Sequence, residues 1–171
     1  CRFCVLGRAV ATPHKQKGKG TRELPRFSMD YGFLGSGNRA VRPMLVVKEI
    51  TTGIMFACIV PRKGLCEEWV EMRVSAWMDW LGFKRVQLRS DCEESIKALR
   101  RAVARRCNCE VVEEDAVVGD SPTNGLAEVG IKIVEAIART IKAQLEEKAD
   151  IKLQDDSIMV AWLIEHAAML Y

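Results

Sequence analysis

Three acidic residues are the side chains in this chain best suited to chemistry: Asp30, Asp91 and Glu128. Asp91 closes the strand-like run Leu88-Arg-Ser-Asp, and Glu128 follows 36 intervening residues later, behind the segment Pro122-Thr-Asn-Gly. Three carboxylates brought together could hold two divalent ions about 3.5–4 Å apart, which neutralise a phosphodiester, activate its nucleophile and stabilise its leaving oxygen. Because the ligands are hard oxygens, the ions expected are Mg²⁺ or Mn²⁺.

Each acid also has an ordinary structural explanation. Asp30 would serve equally as a polar residue at a strand end. Asp91 would serve as a turn or N-cap residue before a helix that begins at Ser95, and Glu128 as a solvated carboxylate favoured by a helix dipole. Their joint occurrence in this order of predicted elements, with the Asn-Gly turn directly before the third acid, favours the catalytic interpretation.

Three antiparallel strands are predicted in the first half of the compact region. Residues 26–34 have strand character, and a Gly-Ser-Gly-Asn turn follows them. Residues 44–50 and 54–60 are predicted to form a tight hairpin around the turn Thr51-Thr-Gly, and Pro61 ends its second strand.

Helices then alternate with strands, a pattern typical of parallel pairing. We expect a helix over residues 65–81, a strand over 84–89, a helix over 95–106 and a strand over 109–113. The first of these helices is predicted to end at Gly82 and to bury an apolar stripe that recurs every three or four residues, made of Leu65, Trp69, Met72, Ala76 and Trp80.

The longest helix is predicted to begin at Gly125, after a loop over residues 116–125. Glu128 lies about 100° around this helix from apolar Ala127, so it should project from the flank of the buried stripe. Lys132, one turn further on, could touch a phosphate or form a Glu-to-Lys helix pair. A last helix is expected over residues 156–170. The apolar stripe of the longest helix consists of Ala127, Ile131, Val134, Ala138, Ile141 and Leu145.

This order of elements is that of the ribonuclease H-like fold, and three segments resemble one family within it. Ser28-Met-Asp, Leu88-Arg-Ser-Asp and Ser121-Pro-Thr-Asn-Gly-Leu-Ala-Glu are similar to the catalytic core of copia- and gypsy-type retrotransposon integrases. The resemblance covers residues 26–171. It implies an α/β, ribonuclease H-like fold, with a mixed five-stranded sheet whose first three strands are antiparallel, flanked by helices. The activity implied is metal-dependent 3′-end processing and DNA strand transfer.

The resemblance also implies roles for individual residues. Asp30 would bridge two metal ions, while Asp91 and Glu128 would each bind one, and Asn124 and Lys132 would lie against nucleic acid. The chain departs from the family pattern after the second acid, where Cys92 and Glu93 replace the usual Asn and Gly, and Val129 follows the third acid.

The amino-terminal segment is strongly basic. Residues 1–26 carry seven Lys or Arg and one Glu, a net charge of +6 within a chain whose total is +3. Residues 12–25 are predicted to be a linker, because Pro and Gly are interspersed with charges. Lys15, Lys17 and Lys19 in this linker would contact phosphate, or would simply be solvated.

The cysteines indicate an intracellular protein, because seven of them are scattered without a disulfide framework. Cys1 and Cys4 have a zinc-like spacing. In the integrase family such a pair closes a His-His-Cys-Cys zinc-binding module, so residues 1–11 are interpreted as a remnant of that module. No bound zinc is expected there.

The expected partner is DNA, and the resemblance implies a homo-oligomer acting in the nucleus, with the 65–81 helix as a candidate contact face. No stretch approaches the roughly 18 apolar residues of a membrane span, so no membrane partner is expected. Two alternatives stay open: a ribonuclease H-type nuclease, and an integrase-derived module that binds nucleic acid or self-associates with impaired catalysis.

Overall fold

The fold was analysed in a computed structural model that describes residues 2–7, 24–33, 42–65, 67–116 and 121–171, with the backbone alone at 6 and 121–124. The described strands are β1 (Arg26–Phe33), β2 (Pro43–Glu49), β3 (Met55–Ile59), β4 (Arg85–Ser90) and β5 (Glu110–Asp115). The described helices are α1 (Arg2–Leu6), α2 (Glu68–Trp80), α3 (Glu94–Arg106), α4 (Ser121–Ala149) and α5 (Ile158–Met169).

The strands form one mixed sheet in the order β3-β2-β1-β4-β5. The pairs β1 with β2 and β2 with β3 are antiparallel, whereas β1 with β4 and β4 with β5 are parallel. The predicted mixed α/β sheet of five strands, with the first three antiparallel and helices flanking it, is therefore confirmed. Gly53, in the predicted hairpin turn, has a φ of +85°, a conformation that glycine adopts without strain.

Helices cover both faces of the sheet. Side chains alternate between the faces along each strand, so each strand contributes to both cores. Phe27 and Met29 of β1 join the core cluster that packs against α2 and α3. The opposite face of the sheet carries the second core cluster, which includes Val46 of β2 and Ile131 of α4. Residues Ser28, Asp30 and Gly32 of β1 alternate with the first set and so face the α4 layer.

Gly32 allows α4 to lie close to β1. A Cβ atom at position 32 would lie only 2.5 Å from Ile131 Cγ2, closer than two carbon atoms can approach. The seating of α4 on the sheet therefore depends on a residue without a side chain at this point of β1.

The predicted buried stripe of α2 was wrong. Trp80 is 75% exposed, Leu65 54% and Met72 49%. The helix instead buries Val70 and Val74, together with Ser75 and Met78. Two apolar stripes are present on this helix: the stripe with Val70, Val74 and Trp77 faces the sheet, and of the predicted stripe only Trp69 packs against the core, partly buried. Gly82 does follow the end of the helix, at a φ of +74°.

The longest helix begins earlier than predicted. Ser121–Ala149 forms α4, so residues 121–124 are helical rather than part of a loop, while 117–120 lie outside the described residues. Pro122 does not oppose this, because a proline in the first turn of a helix loses no intrahelical hydrogen bond. The apolar stripe of α4 is confirmed over its first half, where Ala127, Ile131, Val134 and Ala138 are buried.

A short helix near the amino terminus, α1, was not predicted. It packs against α4, where Arg2 forms an ion pair of 2.6 Å with Glu147. The linker assigned to residues 12–25 and the turn over 35–38 lie outside the described residues, apart from positions 24 and 25. Within the described part of the chain, no helix combines the length and apolar character needed to cross a bilayer.

Candidate functional site

Asp30 and Asp91 meet where β1 and β4 run side by side. The parallel register pairs Met29 of β1 with Ser90 of β4, so Asp30 and Asp91 are the next residues along the two neighbouring strands. Adjacent strands lie about 4.8 Å apart. Two carboxylates 61 positions apart in sequence thus occupy neighbouring positions where β4 ends beside β1.

A small cleft lies between these strands and α4. Its volume is about 40 Å³, enough for a few waters or an ion but far too small for a nucleotide. Ser28, Ser90 and Ala116 contribute to its wall, and Ala127 closes it from α4. Both aspartates line it. The donor set is therefore made of hard oxygens, which suits Mg²⁺ or Mn²⁺.

Electrostatics at the cleft disfavour charge on Asp30. Burial raises the pKa of Asp30 above its ordinary value, while the backbone N–H of Tyr31, which donates to Oδ1 over 2.7 Å, opposes this rise. The negative charge of Asp91 raises the pKa of Asp30 further, Lys63 lowers it, and Glu93 raises it. A cation between the two aspartates would relieve this repulsion.

Glu128 is not gathered with the two aspartates. It is exposed on α4, one residue after Ala127 of the cleft wall, and its Oε1 accepts from Lys132 Nζ over 2.6 Å. Among the described residues, Asp30, Asp91 and Glu128 do not form a group whose ligand atoms all lie within 4.8 Å of one another. The structure therefore unites two of the three predicted acids and leaves the third on the adjacent helix flank.

The predicted nucleic-acid residues are described to different extents. Lys132 is exposed and forms the Glu-to-Lys helix pair that was one of its two expected roles. Asn124 lies in the first turns of α4, but its side chain is outside the described residues, as are Lys15, Lys17 and Lys19. Cys4 is exposed, and Cys1 is not described.

A buried arginine holds the strand ends beside the cleft, and sequence analysis missed it. Arg100 of α3 is 4% exposed and donates from Nη1 to the Ser90 hydroxyl over 2.9 Å and from Nη2 to Asp115 Oδ1 over 2.7 Å. It also contacts Glu113 Oε2 at 3.1 Å. This side chain joins the carboxyl ends of β4 and β5, directly before Asp91. Its sequence setting, a basic residue in an Arg-rich helix, gave no sign of burial.

Lys63 and Glu93 are two further charged residues near Asp30 whose arrangement was not foreseen. Lys63 Nζ contacts Glu93 Oε2 at 2.7 Å, and the same ammonium lies 5.7 Å from the centre of the Tyr31 ring. The backbone N–H of Gly64 donates to the Tyr31 hydroxyl over 3.0 Å, which holds the loop after β3 against β1. Because this loop is 33 residues from Tyr31, only the fold brings its lysine to the cleft.

The loop after β4 is tied to the end of β5 by Cys92. The thiol of Cys92 contacts the Ala116 carbonyl oxygen at 3.3 Å, and its backbone N–H donates to Asp91 Oδ1 over 2.6 Å. The residue that departs from the integrase pattern therefore still orients the second aspartate.

A larger cavity of about 650 Å³ lies at the β3 edge of the sheet, between α2 and α5. It is lined mainly by apolar side chains, including Trp77, Trp80 and Met169. Arg73 and Glu165 form a bidentate ion pair of 2.7 and 2.9 Å at its wall. Because these two charges satisfy each other, the cavity offers little chemistry compared with the aspartate cleft.

Comparison with models of known protein families and with curated proteins found no match to this chain. Its candidate function therefore depends on the geometry of the cleft and on the sequence resemblance described above.

Proposed function

We propose that this chain is the catalytic core of a retrotransposon-type integrase, a divalent-metal-dependent polynucleotidyl transferase acting on DNA. The observation that carries the proposal is the in-register position of Asp30 and Asp91 on adjacent parallel strands, at a cleft closed by α4. The strand order β3-β2-β1-β4-β5 is compatible with the ribonuclease H-like fold that the sequence resemblance implies.

In this proposal Asp30 and Asp91 hold the metal, and Glu128 completes the site. Two bound ions would neutralise the phosphodiester, activate the nucleophile and stabilise the leaving oxygen. Glu128 reaches the cleft by leaving Lys132, a change that costs little because exposed helix pairs contribute only about 0.3–0.5 kcal/mol. Lys132 is then free to contact a phosphate, and Lys63 supplies a second positive charge near Asp30.

Partners and location follow from the same proposal. The substrates are the ends of element DNA and a target duplex, so the protein would act in the nucleus. Joining two DNA ends requires more than one active site, and self-association is therefore part of the proposal. The exposed apolar side chains of Trp80, Trp162 and Met169 support an intermolecular contact on the α2 and α5 side.

A second candidate is an integrase-derived module that binds DNA without turning it over. It is favoured by one observation, that Glu128 pairs with Lys132 instead of joining the aspartates. Glu93 offers another outcome, since its carboxylate is close enough to raise the pKa of Asp30 and could serve as the third acid.

Strand-transfer and end-nicking assays with labelled duplex ends and Mn²⁺ test these candidates. Wild type should nick or join DNA, and Asp91→Asn and Glu128→Gln should reduce activity to background. Glu110→Gln is the matched control, because this exposed carboxylate begins β5 at the opposite end of the parallel strands. Activity lost in Glu93→Gln but kept in Glu128→Gln would reassign the third acid.

The remaining outcomes separate the reaction classes. Cleavage of an RNA–DNA hybrid, with no reaction on duplex DNA ends, would favour the ribonuclease H-type alternative. DNA binding without turnover, unchanged by the Asp91 and Glu128 substitutions, would contradict the catalytic proposal. An isolated core can be limited to the reverse of strand transfer, so a branched product-like substrate belongs in the assay.

A further inference from the structure

Two thiols and a carboxylate meet at the end of the sheet opposite the aspartate cleft. Cys107 and Cys109 lie in the connection between α3 and β5, and Asp79 lies near the end of α2. One ligand atom from each lies within 4.8 Å of the other two, the one such group among the described residues. Because Glu110 pairs with Arg85 at the start of β4, this group is remote from Asp91, which follows the end of β4.

Asn108 holds the carboxylate against the two cysteines. Its backbone N–H donates to Asp79 Oδ1 over 2.9 Å, and its side-chain Nδ2 donates to Oδ2 over 2.7 Å. Each carboxylate oxygen has a second lone pair, so both can accept these bonds and one can still coordinate an ion. Hydrogen bonds of this kind orient metal ligands in known sites.

We propose that Asp79, Cys107 and Cys109 bind one Zn²⁺ ion, with water as the fourth ligand. Thiolate sulfurs select zinc over Mg²⁺ or Ca²⁺, and a carboxylate oxygen completes a mixed set that zinc accepts. With Zn–S near 2.3 Å and Zn–O near 2.0 Å, tetrahedral ligand atoms lie about 3.5–3.8 Å apart. Side-chain rotations that move the ligand atoms by about 1 Å therefore bring them to tetrahedral spacing.

Coordination also offsets most of the ligand charge, because an ion of charge +2 among ligands of total charge −3 leaves a net charge of −1. Both thiols release their protons to solvent when they bind, so two thiolates and one carboxylate surround a doubly charged ion. All three side chains are half-buried, which leaves an entry path for the metal and a place for the water ligand. Cys107 and Cys109 also pack against the core cluster beneath α2 and α3.

The ion would act as a structural clip rather than as part of the DNA chemistry. It joins the end of α2 to the connection between α3 and β5, two points 28 residues or more apart in sequence. A clip between elements distant in the chain stabilises the folded state, because the unfolded chain holds no preformed site. The inference is independent of the proposed integrase activity.

Metal titration of the reduced protein tests the site. The titrated protein carries Cys1→Ser and Cys4→Ser, so that the amino-terminal cysteine pair cannot bind metal. We expect one equivalent of Co²⁺ to bind with thiolate-to-cobalt charge-transfer absorption, Zn²⁺ to displace it, and Zn²⁺ to raise the melting temperature. Cys109→Ser and Asp79→Asn should abolish the stoichiometric charge-transfer signal of this site, with circular dichroism verifying that both variants fold.

Two further variants sharpen the result. Cys92 is a half-buried thiol at the opposite end of β4. The Cys92→Ser variant should therefore bind Zn²⁺ as well as the protein that carries only the Cys1 and Cys4 substitutions. Asn108→Ala keeps the backbone bond to Asp79 but loses the side-chain bond, and should weaken affinity about 10–100-fold. The proposal is overturned if the reduced protein binds no Zn²⁺, if binding is lost in Cys92→Ser, or if Asp79→Asn binds normally.

Discussion

Arg100 and Ser90 are joined by a buried hydrogen bond of 2.9 Å between Nη1 and the serine hydroxyl, one residue before Asp91. The same guanidinium contacts the carboxyl end of β5 at Asp115 and Glu113. The position of the second aspartate thus depends on a cation supplied by α3. A helix outside the cleft is therefore part of what aligns the two acids.

Replacing Arg100 by Met should destabilise the protein by about 2–3 kcal/mol. The substitution leaves the buried Ser90 hydroxyl without its donor, whereas Glu113 and Asp115 are exposed enough to regain water. Urea unfolding measures the effect. Arg101→Met is the control, since Arg101 is exposed on the same helix and should change stability by less than about 0.5 kcal/mol. Equal effects would contradict the role given to Arg100.

Asp30→Asn should make the metal-free protein more stable at neutral pH. Because the pKa of Asp30 is raised in the folded state, the folded protein binds this proton more tightly than the unfolded chain. The stability contributed by the protonated form is fully present below the unfolded pKa and is lost as pH rises through the folded pKa. Asparagine cannot ionise, so the advantage of the variant should appear at pH 7 and vanish near pH 3.

The measurement is urea unfolding as a function of pH in the presence of a chelator. Mn²⁺ should then stabilise wild type and leave Asp30→Asn unchanged. A variant less stable than wild type at pH 7 would show that burial and repulsion do not govern this carboxylate.

Glu49→Gln should show the opposite pH dependence. Burial alone would raise the pKa of Glu49, but hydrogen bonds from the Thr52 hydroxyl and from the backbone N–H groups of Thr52 and Thr51 outweigh it and lower the pKa. The stability from the charged form is present above the unfolded pKa and is lost as pH falls through the folded pKa.

The variant should therefore lose about 1–2 kcal/mol at pH 7, and the difference should shrink in acid. Thermal unfolding at pH 7 and pH 3 measures it. A difference that does not depend on pH would mean that the charge of Glu49 is irrelevant to the hairpin turn.

Two tryptophans on α2 should behave differently when replaced by Ala. Trp77 packs edge-on against Phe27, with ring centres 5.9 Å apart, so Trp77→Ala should cost about 3 kcal/mol. Trp80 is 75% exposed, and Trp80→Ala should cost less than about 0.5 kcal/mol. Denaturant unfolding of the two variants decides which apolar stripe of the helix faces the core. A larger loss of stability for Trp80→Ala than for Trp77→Ala would show that the stripe expected from sequence faces the core.

Alanine should have opposite effects on stability at two glycines, Gly32 of β1, which packs against α4, and Gly125 within α4. At Gly32 the new Cβ would collide with Ile131, so Gly32→Ala should cost about 1–3 kcal/mol. At Gly125, inside α4, a Cβ meets nothing within 4 Å, so Gly125→Ala should stabilise the helix by up to about 1 kcal/mol. Chemical denaturation measures both changes. A neutral Gly32→Ala would mean that α4 can shift on β1 without loss.

Much of the fold was predictable because it depends on local patterns. The hairpin between β2 and β3 was evident from two apolar runs around Thr51-Thr-Gly, and the presence of helices α2 and α4 from the spacing of their apolar residues. The start of α4 was missed because Pro122 and Gly125 are typical of loops, yet tertiary packing overrides such propensities. The face of α2 was missed because two apolar stripes share one helix, and periodicity does not choose between them.

The sequence by itself determined which residues could form the site: three acids, in β1, directly after β4 and in α4. Only the tertiary structure decided that Asp30 and Asp91 become neighbours, because the parallel pairing of β1 with β4 is a contact between distant segments. It also left Glu128 on the flank of α4, paired with Lys132, and placed Arg100 and Lys63 beside the aspartates. These placements depend on burial and charge summed over several elements, which no local pattern encodes.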